Sequence, residues 1–269
     1  MVDERLDLGL DEIALSGGIA NPGAVVRIGN TVRRPTGAHT PAVHAFLRHL
    51  RHAGFDGAPV PHGVDEKGRE ILDFVPGEVA LPPFPDWAWA DDALVSVAAL
   101  TRRFHDAAGS FIPPPDAAWG FEPPAGWRGR SVGHNDLSHE NVVFRHGAPV
   151  GFIDFDFAGP ADPVFDVAAT AYYWMPLVAP QDLDVNIDQA ARLRLFADAY
   201  GLPRADRRRF VDGLGAYLLW GEGMVTARIA AGESGFVEMA RAGWAERKSH
   251  AKQWYEAERS QLERALFRG

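Results

Sequence analysis

The residues of this 269-residue chain best suited to chemistry stand in one short stretch, Gly133-His134-Asn135-Asp136-Leu137-Ser138-His139-Glu140-Asn141, followed downstream by Gly151-Phe152-Ile153-Asp154-Phe155-Asp156. A hydroxyl that attacks the terminal phosphoryl of a nucleoside triphosphate needs a carboxylate to orient it, and the metal that bridges the phosphates needs oxygen ligands from elsewhere. Asp136 suits the first task, Asn141 and Asp154 the second. Taken singly, an Asp or an Asn in a loop is a turn former. Here they form an ordered set: His134, Asp136, Asn141 and Asp154 match H-x-D-x-x-x-x-N followed by an acid on the next hairpin strand.

Such a set works only if the backbone brings it together. Val142-Val143-Phe144 reads as a strand beginning directly after Asn141, Gly147-Ala148-Pro149 as a turn, and Val150-Gly151-Phe152-Ile153 as a returning strand with Asp154 at its end. Upstream, residues 12–16 read as a strand, and Gly17-Gly18-Ile19-Ala20-Asn21-Pro22-Gly23 as a loop. That loop either brings backbone N–H groups close to phosphates or is an ordinary hairpin turn. Strands 24–28 and 31–34, joined by Gly29-Asn30, complete a meander in which Val32 and Arg34 share one face and Arg33 the other. A helix follows from Thr40 and Pro41, with Thr40 as its cap. Strands are then expected at 57–64 and 69–75, the second ended by Pro76-Gly77. The remainder is mainly helical, with helices from Asp91 or Asp92 and over 187–200, 204–231 and 244–267. The last has Trp244, Ala251, Trp254 or Tyr255, Leu262 and Leu266 at helical spacing.

Composition sets outer limits. The chain has no cysteine, which excludes a disulfide framework, a thiolate metal site and a thiol nucleophile. Its formal charge of −9 argues against a nucleic-acid partner and suits a cationic one. No basic segment leads into an apolar one at the start, and no apolar run approaches a membrane span. The expectation is a soluble, cytoplasmic protein without membrane contact. A zinc site from His134, Asp136 and His139 is a rival reading of the motif, but it leaves Asp154 and the glycine loop unexplained.

The stretch from Val132 to Ala168, with its H-x-D-x-x-x-x-N motif, its later acid and Asp166-Val167-Ala168, resembles the aminoglycoside phosphotransferase and choline kinase-like family. The resemblance extends over most of the chain. It implies an α+β, two-lobed protein-kinase-like fold, with a small antiparallel-sheet N-lobe over residues 1–76 that binds nucleotide. A larger, mainly helical C-lobe over 77–269 would hold the catalytic loop and the acceptor. It implies Asp136 as catalytic base, Asn141 and Asp154 as magnesium ligands, and His134 and Asp166 as supports of the catalytic loop. Gly17, Gly18 and Arg34 would meet the phosphates of ATP, Val32 would lie beneath the adenine, and the backbone of Asp73 and Val75 would meet its edge. Asp156 is a further candidate on the acceptor side.

The implied activity is Mg-ATP-dependent phosphorylation of a hydroxyl on a small molecule, cationic or polyhydroxylated, such as an aminoglycoside-like antibiotic or an amino alcohol. The alternative is a relative that has kept the fold as a binding or immunity protein with little or no turnover. Two departures bear on this choice. Arg34 stands where protein kinases use Lys, a wider and permanently charged fork. The helix after it has no Glu to pair with that base, so the pair is either missing or completed from outside the helix. Asn135 stands where most relatives place Gly, a position that Asn tolerates.

Overall fold

Gly29, at φ +57°, lets the chain turn back on itself between β2 (Val26–Ile28) and β3 (Thr31–Pro35), because a glycine adopts that backbone without a side-chain penalty. The resulting hairpin pairs Val26 with Arg33 and Ile28 with Thr31. β1 (Ile13–Ala14) adds to its outer edge, and β5 (Arg69–Asp73) and β4 (Pro61–Val64) to its inner one. The order is β1-β2-β3-β5-β4, with every pairing antiparallel. The computed structural model describes residues 11–15, 23–179, 183 and 185–267. Gly17 and Gly18 of the expected phosphate loop lie outside the described residues.

Helix α1 (Thr40–His52) crosses from β3 to β4. Its cap position is His39 rather than Thr40, and Pro41 stands in its first turn. The Thr40 hydroxyl accepts a hydrogen bond from the Gly37 N–H at 2.9 Å, inside the helix rather than before it. Phe46, Leu47 and Leu50 of α1 are fully buried and share one core with Leu94, Val97 and Phe104 of α2 (Asp91–Ala108) and with Phe152 and Phe155 beyond the catalytic loop. Phe46 meets Phe104 edge-on at 6.0 Å and Phe155 at 6.4 Å. Apolar residues from both sides of residue 76 therefore bury one another.

Four short strands carry residues 131–161. β6 (Ser131–Gly133) pairs with β9 (Gly159–Ala161), and β7 (Val142–Arg145) with β8 (Ala148–Phe152). The β7–β8 turn falls at His146 and Gly147, both at positive φ, one residue earlier than the sequence suggested, so Ala148 and Pro149 are already strand. β6 and β9 were not expected; at three residues each they are too short for a periodic signal. Helices α3 (Pro163–Trp174), α4 (Gln189–Tyr200), α5 (Arg207–Ala230), α6 (Ser234–Arg241) and α7 (Trp244–Phe267) complete the chain. Gly213 lets α5 approach α3 closely, since a Cβ there would come within 2.7 Å of the Ala168 side chain. α7 buries Ala251, Leu262, Ala265 and Leu266, while Trp244, Trp254 and Tyr255 of the expected face are half-exposed.

Candidate active site

The catalytic loop is held from behind by one buried acid. Pro163 in the first turn and the Asp162 side chain, which accepts from the Val164 N–H at 2.9 Å, start helix α3. Asp166 then faces the loop. Its Oδ2 accepts the His134 backbone N–H at 2.9 Å and its Oδ1 that of Asn135 at 2.7 Å, while His105 Nε2 lies 2.8 Å from Oδ2. Burial opposes ionisation of Asp166, but the His105 contact and the Asn135 N–H hold its carboxyl below the usual range. Gly133 is required at this point, because a Cβ would sit 2.6 Å from Asp166 Oδ2. Asn135 takes the left-handed backbone, φ +62°, and its side-chain amide donates to the carbonyls of Phe157 and Gly159 at 3.0 and 3.2 Å.

His134 ties the loop to the hairpin. Its Nε2 donates to the Ile153 carbonyl at 3.0 Å, one residue before Asp154, and burial pushes its pKa down, which keeps the ring neutral. The Asn141 carbonyl accepts the Ile153 N–H at 2.9 Å, so Asn141 and Asp154 are anchored on adjacent strand ends. The Asn141 amide donates to the Asp136 carbonyl oxygen at 2.8 Å and to Asp136 Oδ2 at 3.1 Å. With its nitrogen spent there, Asn141 has its amide oxygen to offer a metal. Asp154 is left-handed at φ +64°, and its side chain is 43% exposed, so a carboxylate oxygen is open to solvent. Two hard oxygen donors at one mouth suit magnesium, which takes its remaining ligands from phosphate and water.

Asp136 itself is gripped on its other oxygen. Oδ1 accepts from the Tyr173 hydroxyl at 2.7 Å and more weakly from Tyr217 at 3.5 Å. Burial pushes the Asp136 carboxyl up to about 7, the Tyr173 hydrogen bond opposing it and the nearby Asp154 charge adding to it. A carboxyl in that range at neutral pH is matched to accept a proton. Tyr173 and Tyr217 hydroxyls are 3.0 Å apart, and their rings pack with Tyr172 at 5.3 Å from each.

On the sheet side, Arg34 is the residue that reaches the site. Its Nη1 donates to Asp154 Oδ1 at 2.9 Å, its Nη2 pairs with Asp156, and its Nε lies 3.0 Å from Glu70 Oε1. That last contact is an ion pair without hydrogen-bond alignment, and Nε has no hydrogen-bond partner. Burial works against the charge on Arg34, but the three carboxylates outweigh it and raise its pKa. Arg33 turns the other way, toward Thr31 and Asp65.

Glu70 takes the place of the missing helix acid. It stands directly across from Arg34 in the β3–β5 pairing, is 4% exposed, and its other oxygen lies 2.8 Å from His44 Nε2 on α1. The helix thus supplies a histidine to the acid, and the strand supplies the acid to the arginine. Asp156 is held on a second side by His39 Nε2 at 3.2 Å. Burial raises the Asp156 carboxyl, and the His39 hydrogen bond and Arg34 charge more than reverse it. The His39 pKa is raised by the same contact.

The other expected positions fall along the sheet. Val32 pairs with Leu72, and Asp73 with Thr31, at the end of β5. The Asp73 N–H is used by the Val60 carbonyl at 3.0 Å and its carboxylate by His62 at 2.6 Å, so Asp73 has its carbonyl to offer a ligand. Val75 follows two residues later, beyond the strand. The histidines of the zinc reading diverge. His134 faces Ile153, whereas His139 is buried among Phe84, Trp89 and Trp174 at 4.7, 4.9 and 4.2 Å. Burial and the Arg192 charge push the His139 pKa down to about 4. No cluster of three or more metal-binding side chains occurs among the described residues.

Sequence reading missed Glu70, Tyr173 and Tyr217. Tyr173 carried a usable signal: it lies seven residues after Asp166, two turns along the same helix face, and that face is the one that meets the loop. Trp174 beside it donates to the Leu137 carbonyl at 3.0 Å. Glu70 could be found only with the β3–β5 register, which joins strands separated in sequence by a helix and another strand.

Fold and site together define a protein-kinase-like phosphotransferase architecture, in which a sheet-borne base and a loop–hairpin acid set face each other. The Phosphotransferase enzyme family matches residues 116–209. The Trifolitoxin immunity protein of Rhizobium leguminosarum bv. trifolii is 36% identical over 218 residues, covering 76% of this chain and 79% of that one. This chain belongs to that phosphotransferase family. Among solved structures, a choline/ethanolamine kinase family protein from Mesorhizobium loti aligns with a TM-score of 0.63 at 17% identity, over 97% of this chain and 92% of the other. Amicoumacin kinase hAmiN in complex with AMP-PNP, Ca2+ and Ami aligns with 0.60 at 13% identity over 93% of both. At those identities the likeness is one of fold. No helix among the described residues is long and apolar enough to cross a membrane.

Proposed function

We propose that this protein is a cytoplasmic Mg-ATP-dependent kinase that phosphorylates a hydroxyl on a small molecule, an aminoglycoside-like antibiotic or an amino alcohol being the classes its family suggests. The observation that carries this reading is the convergence of Asp136, Asn141 and Asp154, with Asn141 bonded to Asp136 and to Ile153, the residue before Asp154, and the loop held from behind by Asp166. Asp136 orients the acceptor hydroxyl and takes its proton. Asn141 and Asp154 would hold magnesium, which when bound neutralises charge on the phosphates. Arg34 positions the phosphates, with Gly17 and Gly18 as further N–H donors. Val32 and the backbone of Asp73 and Val75 form the adenine seat. Residues 1–76 then form the nucleotide-binding lobe and 77–269 the catalytic and acceptor-binding lobe.

Two observations favour a second reading, a binder that confers immunity without turnover. One is the 36% identity to an immunity protein. The other is that Arg34 is already engaged by three carboxylates, which compete with a nucleotide's phosphates. Titration calorimetry with ATP, with and without magnesium, separates the readings. Magnesium-dependent binding that is lost in Asp154→Ala supports the kinase; absence of binding by the wild type moves the assignment to the binder. In the kinase, Asp136→Asn keeps that binding and lowers phosphoryl transfer about 10²–10⁴-fold, the usual worth of a general base. Unchanged transfer would remove Asp136 from its role.

A further inference from the structure

In the kinase reading, Asp136 accepts a hydrogen bond from the acceptor hydroxyl, and in this protein a hydroxyl already makes such a bond. Tyr173 OH donates to Asp136 Oδ1 at 2.7 Å, the contact an acceptor alcohol has to make before transfer. Tyr173 is a half-buried residue near the end of α3, with its hydroxyl held between Asp136 and Tyr217. Its neighbour Tyr217 is less suitable, lying 3.5 Å from the same oxygen and donating to the Asn135 carbonyl at 3.1 Å. Asn141 occupies the other carboxylate oxygen. An acceptor molecule must therefore displace Tyr173 or share its oxygen.

We propose that Tyr173 is an intramolecular acceptor: when no small-molecule alcohol is bound, the enzyme transfers the terminal phosphoryl of ATP to its own Tyr173 hydroxyl. This rests on the kinase reading above. The step forms a bond between the Tyr173 phenolic oxygen and the γ-phosphorus and breaks the bond from that phosphorus to the β–γ bridging oxygen. ADP leaves with the electron pair, and the phenolic proton passes to Asp136. The product places the phosphate beside the Asp136 carboxyl, which now holds the phenolic proton, and fills the acceptor seat, so a chain modified this way is silenced. Acceptor alcohols, by displacing the phenol, protect against it.

The full-length protein incubated with ATP and magnesium is the test, read by intact mass and by mapping of the phosphopeptide on the wild-type chain, so the assignment does not depend on how a variant folds. The expected result is one phosphate on Tyr173, appearing at a rate unchanged by dilution of the protein and absent from Asp136→Asn and Tyr173→Phe. Protein purified from growing cells should carry the same modification in part. ATP hydrolysis or binding with an unmodified Tyr173 overturns the proposal and leaves the kinase reading standing, as does phosphate mapped elsewhere or a rate that rises with protein concentration. Failure to bind ATP at all overturns both.

Discussion

The catalytic loop and the Arg34 cluster are both buried networks of charge, yet they are built in opposite ways. Around the loop, one acid, Asp166, collects two backbone N–H groups and a histidine, and the other contacts come from the 133–159 stretch itself and from Tyr173, Trp174 and Tyr217. Around Arg34, five side chains from three separate segments meet: His39 and His44 near the start of α1, Glu70 on β5, and Asp154 and Asp156 after β8. The first network is fixed by backbone and tolerates little change. The second is a meeting of side chains, whose ion pairs can exchange partners. Rigidity sits around Asp136, and exchangeable ion pairs sit around Arg34.

The contrast predicts a graded set of effects. Asp166→Ala leaves two buried N–H donors without an acceptor and should cost about 3–5 kcal/mol of stability, the range for breaking a buried charged network. Urea unfolding measures it, and a loss below about 1 kcal/mol, the scale of one ordinary hydrogen bond, would mean that the loop is held by something else. Arg34→Met should cost less, about 2–3 kcal/mol, because Asp154 and Asp156 are 43% and 29% exposed and can turn to water. Glu70→Gln, which keeps its shape, should cost about 1 kcal/mol. If Glu70→Gln proved as damaging as Arg34→Met, the strand acid rather than the arginine would be the hub.

The smallest effect is that of pH on His39. Its pKa is raised in the folded protein by Asp156, so the pair stabilises fully below the ordinary histidine value near 6.5 and the contribution is lost as pH rises through the higher folded value. His39 is only half-buried, which limits the effect to about half a kcal/mol. Thermal unfolding of His39→Gln should therefore differ from wild type at pH 5.5 and converge with it at pH 9. A difference that grows with pH would reverse the assignment of charge.

The same contrast explains what could be read from the sequence. Asp136, Asn141, Asp154 and Asp166 stand in one contiguous signature whose spacing the backbone enforces, and the hairpin that joins them is legible from its apolar runs. Strand alternation puts Arg34 and Arg33 on opposite faces, and their side chains do turn opposite ways, Arg34 to Asp154 and Arg33 to Thr31 and Asp65. Glu70 did not show itself, because its meaning depends on a register between strands that are not neighbours in the chain. Tyr217 comes from a helix far downstream, where no fixed spacing links it to the loop. The Thr40 cap failed for a local reason: the chain already turns at Gly37, whose N–H takes the Thr40 hydroxyl one residue inside the helix.

One consequence concerns how such an enzyme can be controlled. In protein kinases the helix after the third strand can be moved, breaking its pair with the basic residue and switching the enzyme off. Here Phe46, Leu47 and Leu50 of α1 are at most 1% exposed and interlock with α2 and the segment after β8. Drawing them out would cost on the order of 5–9 kcal/mol at about 1.5–3 per side chain, comparable with the whole stability of a domain. The helix is a wedge and not a lever, so an on–off signal has no purchase there.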